Sequence, residues 1–88
     1  MIFITLAKLR KKATKALIAE TSKALEQAIK EGGKVLGLYW TLGRYDVVMI
    51  SEAPDEKIYM KWIVRLGDLL ASETLVAVPR EEALKFVQ

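Results

Sequence analysis

The chain of 88 residues contains no cysteine, no histidine and no asparagine. The first two absences remove disulfides, thiolate catalysis, Ser/Cys-His triads and the commonest zinc, copper and haem ligands. They also remove the usual general base near neutral pH. No apolar run approaches the ~18–20 residues of a membrane span. At the N-terminus, MIFITLAKLRKK, the charges follow the apolar run, the reverse of a signal peptide. The expectation is a soluble, cytoplasmic chain with no membrane contact. The net charge of +3 is mild for a nucleic-acid binder. Lys and Glu dominate the charged residues, a pattern associated with heat-adapted (thermophile) proteins.

Apolar residues, by contrast, are plentiful. They make up 52 % of the chain, against ~45–50 % in typical soluble domains, and the mean hydropathy is +0.19. A domain this small has little interior in which to hide them. The surplus points to a second buried surface, most simply one between copies of the chain.

Periodicity divides the sequence into alternating elements. Residues 2–9 (IFITLAKL) read as a strand, with Ile2, Ile4 and Leu6 alternating against Phe3, Thr5 and Ala7. A basic cluster follows, and a helix is predicted from an N-cap at Thr14 to about Glu31, with Leu17, Thr21, Ala24, Leu25, Ala28 and Ile29 on its apolar stripe. Gly32-Gly33 supplies its stop. Residues 34–42 and 45–53 read as strands joined at Gly43-Arg44, the glycine fitting a type II′ turn. Asp55 caps a second helix whose stripe runs through Ile58, Tyr59, Trp62, Ile63, Leu66, Leu69 and Leu70; Gly67 marks a close approach or an early end. Residues 73–79 form a fourth strand, closed by Pro79, and 80–87 a short terminal helix. The order β-α-β-β-α-β gives an α+β, ferredoxin-like fold: one domain over 1–88, with an antiparallel four-stranded sheet and two helices on one face.

The hairpin sorts its side chains. With Gly43-Arg44 as the loop, Trp40 faces Val47 and Leu38 faces Met49, so Leu36, Leu38, Trp40, Leu42, Tyr45, Val47 and Met49 share the core face. Both Trp40 and Trp62 are expected in the core. Val35, Gly37, Tyr39, Thr41, Asp46, Val48, Ile50 and Glu52 share the other face, joined by Phe3, Leu75 and Ala77 from the outer strands. That face is too apolar to stand open to water. It is the expected surface of a homodimer or higher homo-oligomer, each partner burying about 800 Å².

The segment Gly43-Arg44-Tyr45-Asp46 resembles the signature of the GYD-domain family of bacterial and archaeal proteins. Gly32-Gly33-Lys34, Tyr39-Trp40-Thr41-Leu42, Glu52-Ala53-Pro54-Asp55 and Glu73-Thr74-Leu75 extend the resemblance in order along most of the chain. It implies a ferredoxin-like domain close to the dimeric α/β-barrel group and supports assembly of copies. It implies no activity. The lysine-rich start of the first helix departs from the family pattern.

The candidate ligand-binding residues are Tyr39, Thr41, Asp46 and Glu52, on the half-polar sheet face. Asp46 and Glu52 lie about 20 Å apart along a strand at ~3.3 Å per residue, so they form no carboxylate dyad within one subunit. For Tyr45-Asp46 the stronger expectation is structural, with Asp46 accepting hydrogen bonds from the turn or from Arg44, and Tyr45 at the edge of the core. Arg10, Lys11, Lys12 and Lys15 form a candidate anion-binding cluster before the first helix. No catalytic residue, metal ligand or cofactor is assigned. The leading expectation is a homo-oligomeric module that binds a small molecule or regulates a partner, without catalysis. A cofactor-free oxygenase or isomerase of the dimeric-barrel kind comes second, and the lack of histidine disfavours haem degradation. Weak nucleic-acid or anion binding through residues 8–15 comes third, since no exposed aromatics or RNA-binding motif accompany the charges.

Overall fold

A computed structural model describes residues 1–87. The elements in order are β1 (Ile2–Leu9), α1 (Lys15–Lys30), β2 (Lys34–Trp40), β3 (Val47–Glu52), α2 (Glu56–Arg65), β4 (Leu70–Ala77) and a short α3 (Arg80–Ala83), which runs into a 3₁₀ turn (Leu84–Val87). The sheet order is β2-β3-β1-β4, every neighbouring pair antiparallel. This is the expected ferredoxin-like arrangement. Among the described residues, no helix is long and apolar enough to cross a membrane.

Local chemistry sets both helix starts. The Leu17 N–H donates to Thr14 Oγ1 at 3.1 Å, and the Ile58 N–H donates to Asp55 Oδ1 at 2.9 Å. Each satisfies one of the donors left orphaned in a first turn. α2 ends at Arg65, earlier than its apolar stripe suggests, because the chain tightens there: Leu66 N–H bonds Ile63 O and Gly67 N–H bonds Val64 O. The residues thereby released let β4 begin at Leu70, three positions before the expected start.

The core is built on α2. Tyr59 lies flat on Phe3, with ring centroids 4.1 Å apart, and meets Trp62 edge-on at 6.0 Å. Phe3 therefore faces the helices and not the outer face assigned to it from the sequence. Leu17 and Ala28 of α1 are buried as expected, whereas Ile29 is largely exposed.

The hairpin keeps the expected register at Trp40–Val47 and Leu38–Met49, but its connection spans residues 41–46 in place of two. Leu42 and Tyr45 do not pair, because the backbone turns toward β1: the Asp46 N–H bonds Ala7 O at 2.8 Å, and Thr41 Oγ1 donates to Tyr45 O at 2.6 Å. Gly43 has a φ of +104°, the left-handed conformation that the turn reading requires. A bulge between Val35 and Gly37 changes the sorting of β2. With one extra residue, Val35 pairs with Ser51 and falls on the helix side, not on the outer face. Trp40 and Leu42, expected in the core, are 62 % and 101 % exposed. Leu42 stands in the connection beyond β2, and Trp40 is at the end of the edge strand, on the lining of the cleft.

The two helices meet at Glu31. Its carboxylate accepts from Trp62 Nε1 at 3.0 Å, Arg65 at 3.0 Å and Gln27 Nε2 at 2.8 Å, with Lys61 Nζ 3.4 Å away. Gly33 makes this approach possible, since a Cβ there would stand 2.9 Å from the Trp62 ring. The hydrogen bonds from Gln27, Trp62 and Arg65 hold the Glu31 carboxyl down at about 2, from an ordinary 4.5. A lowered folded-state value stabilises the native chain above the ordinary value and is lost as pH falls through the lowered one. Urea unfolding should therefore show stability declining between about pH 4.5 and 2. Glu31→Gln should be less stable at neutral pH and lose less across that window. An unchanged acid profile in the variant would contradict this.

Candidate functional site

A concavity with a volume of about 320 Å³ lies between the helical layer and the sheet. Its origin is legible in the side chains that face it. α1 contributes Thr21, Ser22, Ala24 and Ala28, while the sheet contributes Thr5, Ala7, Ser51 and Ser72. These are small residues where a packed core would carry Leu or Ile, so helix and sheet are held apart without the space between them being filled. Leu25, Ile63, Leu66 and Met49 complete largely apolar walls, and Trp40 stands on the lining from the edge strand.

The floor is polar in one place. Thr5, Ser51 and Tyr59 are all buried, and their hydroxyls form a chain. Ser51 Oγ donates to the Tyr59 hydroxyl at 3.3 Å, the Tyr59 hydroxyl is hydrogen-bonded to Thr5 Oγ1, and Thr5 Oγ1 lies 3.1 Å from Thr74 Oγ1. No buried side-chain polar atom among the described residues lacks a partner. The charged residues on the lining are Lys34 and Glu52, opposite one another in the β2–β3 ladder. A preformed, mainly apolar cavity with a few converging polar groups is the usual form of a small-molecule site.

The residues singled out in the sequence are dispersed. Of Tyr39, Thr41, Asp46 and Glu52, Glu52 alone lines this cavity. Tyr39 is 57 % exposed, its ring folded over Gly37 on the open sheet face. Thr41 bonds the hairpin backbone. Asp46 is a clasp: its Oδ2 accepts the Leu9 N–H at 2.8 Å, and its own backbone bonds Ala7 and Thr41. Tyr45 is not at the edge of the core, for its hydroxyl donates to Glu73 Oε2 at 2.8 Å on β4, with Arg44 over its ring at 5.8 Å. That bond to the Glu73 carboxylate raises the Tyr45 pKa above its ordinary value. Residues 44–46 thus strap the hairpin tip to both β1 and β4.

In the basic cluster, Arg10 Nε donates to Gly67 O at 2.7 Å and to Leu70 O at 3.3 Å, which joins the end of β1 to the α2–β4 turn. Lys11, Lys12 and Lys15 are exposed at the entrance to α1. Among the described residues, no group of acidic side chains could hold a metal ion.

Thr5, Ser51 and Tyr59 were not singled out from the sequence. The available signal was a hydroxyl at an inward strand position, Thr5 between Phe3 and Ala7, together with a tyrosine on the apolar stripe of α2.

The architecture defines a ferredoxin-like α+β protein with a cleft between its layers. A protein from Agrobacterium tumefaciens shares the fold at 14 % identity and a TM-score of 0.58, over 90 % of this chain and 93 % of that one. A dimeric ferredoxin-like protein of unknown function from Thermobifida fusca matches less closely, at 13 % identity and a TM-score of 0.47, over 86 % of this chain and 89 % of that one. The chain belongs to the GYD-domain family, whose sequence profile matches residues 3–87. No functionally curated protein matches it significantly.

The clasp can be tested directly. Asp46→Ala leaves the Leu9 N–H without its acceptor and should cost about 1–3 kcal/mol in urea unfolding. Asp46→Asn keeps an acceptor oxygen and should cost less. Equal, negligible losses in both variants would remove the clasp from the account.

Proposed function

We propose that this GYD-domain protein is a binding module for a small, largely apolar molecule, held in the cleft between its helices and its sheet. The observation that carries this reading is the cleft itself, about 320 Å³ with apolar walls and a buried hydroxyl chain at its floor. A cavity of about 150 Å³ takes one benzene ring, so this one suits a two-ring compound. Binding is favoured over catalysis because the three floor hydroxyls are engaged with each other, not with an activating base. A role in regulation would follow if occupancy altered assembly.

Assembly is the second part of the proposal. By register, Ile2, Ile4, Leu6, Val48, Ile50, Leu75 and Ala77 share the sheet face away from the helices. A second copy of the chain covering this stripe would remove it from water at the scale of an ordinary specific interface. The Tyr45–Glu73 bond and the Lys34–Glu52 pair flank the stripe at its two ends.

Titration with the neutral fluorophore N-phenyl-1-naphthylamine tests the site. One molecule per chain should bind, and saturation at 100 times its Kd should stabilise the fold by about 2.7 kcal/mol. Ala24→Leu, which projects bulk into the cleft, should weaken binding at least ~10-fold while leaving the melting temperature unchanged or higher. Equal binding by wild type and variant would place the dye elsewhere and refute the site.

For assembly, sedimentation equilibrium of the wild type at about 10 μM should return a dimer or larger species, and Ile4→Lys a folded monomer. A monomeric wild type would end the assembly proposal without touching the cleft.

A further inference from the structure

The head of the hydroxyl chain at the cavity floor selects a class of ligand. Ser51 Oγ gives its proton to the Tyr59 oxygen. The Tyr59 hydroxyl is also hydrogen-bonded to Thr5 Oγ1, and Thr5 Oγ1 to Thr74 Oγ1, bonds in which either oxygen can donate. Ser51 is left as the head of the chain, its oxygen donating once and accepting from no other protein group among the described residues. It is 4 % exposed and lies on the cavity lining. An oxygen with open lone pairs, in a place where water is largely excluded, is a hydrogen-bond acceptor waiting for a donor.

Charge narrows the choice further. Lys34, the one cationic residue on the lining, stands opposite Glu52 in the ladder, and by register both fall with Ile2 on the sheet face away from the helices, so no cation bonds the hydroxyl floor among the described residues. An ionised carboxylate seated against Ser51 would surrender its hydration and meet only neutral oxygens, a loss that the cavity does not offset. A hydrocarbon would fit the walls but leave the Ser51 lone pairs unused.

Resting on the binding reading above, we infer that the cleft takes an uncharged, one- to two-ring molecule that donates a single hydrogen bond to Ser51 Oγ, of the chemical class of phenols and alicyclic or aromatic alcohols. Ser51 is then the residue that discriminates among apolar compounds of equal size, and Tyr59 positions it by accepting its proton.

Isothermal titration of the full chain with four compounds on one bicyclic frame tests this: naphthalene, 1-naphthol, 1-methoxynaphthalene and 1-naphthoate. In the wild type, 1-naphthol should bind about 5-fold tighter than naphthalene, the worth of one neutral hydrogen bond. The acceptor-only 1-methoxynaphthalene should show no such gain, and 1-naphthoate should bind at least ~100-fold more weakly than 1-naphthol. Ser51→Ala should erase the advantage of 1-naphthol while leaving naphthalene affinity within about 2-fold. The inference is overturned if 1-naphthoate or 1-methoxynaphthalene equals 1-naphthol on the wild type, a comparison that needs no variant to fold. It is also overturned if the naphthol advantage survives in folded Ser51→Ala. Should none of the four bind, naphthalene included, the cleft is not a small-molecule site and the binding reading falls with it.

Discussion

The stacking of Tyr59 on Phe3 is the contact on which the helical layer depends. One ring from α2 lies nearly parallel to one from β1, at 4° between planes, and this fixes the height of the helix above the sheet. The tyrosine hydroxyl, carried beneath the apolar stripe, would be a liability if unpaired. Thr5 and Ser51 supply its partners from the two central strands. Removing a buried aromatic of this kind typically costs ~3–5 kcal/mol, a large share of the ~5–15 kcal/mol that holds a domain together.

From Tyr59 the constraint passes outward. Trp62, one helical turn on, packs edge-on against the tyrosine and donates its indole N–H to Glu31 at the end of α1. α1 is therefore anchored at its C-terminal end through a carboxylate shared with Arg65, and near its start by the buried Leu17. Between those anchors it presents Thr21, Ser22, Ala24 and Ala28 among larger residues such as Leu25, over a sheet that answers with Thr5, Ala7, Ser51 and Ser72. Two firm attachments with small residues between them produce a span, and the cleft is the space beneath it. Tyr59 is thus both the structural post and part of the floor.

The GYD segment serves a different end of the molecule. Its glycine adopts the positive φ of the turn, its tyrosine reaches β4 and its aspartate accepts from β1. Three consecutive strands in space are tied together by one short connection. This accounts for the pairing of Tyr and Asp without any chemistry. The apolar outer face and the cleft lie on opposite sides of the sheet, so the proposed assembly and the proposed ligand binding would make no competing demands on it.

Element order, the caps at Thr14 and Asp55 and the Trp40–Val47 register were all present in the sequence, because each is decided by residues within a few positions of one another. A cap is an interaction with the third residue on, and a strand period of two needs only neighbours. The face taken by each side chain was a different matter. Alternation told that Phe3 and Ile2 point apart, but which of them lies under a helix was decided by Tyr59, 56 positions away along the chain. One bulged residue moved Val35 across the sheet, and hairpin periodicity carries no mark of it. The acceptor role of Asp46 needed the Leu9 N–H to be free at the end of β1. The cleft was least legible, since it is a void summed over small residues of α1, β1, β3 and β4. The sequence by itself determined the elements and their order through short-range bonding and periodicity. The tertiary structure alone decided which faces close, what each polar group meets and where space is left, because those depend on contacts between residues remote in the chain.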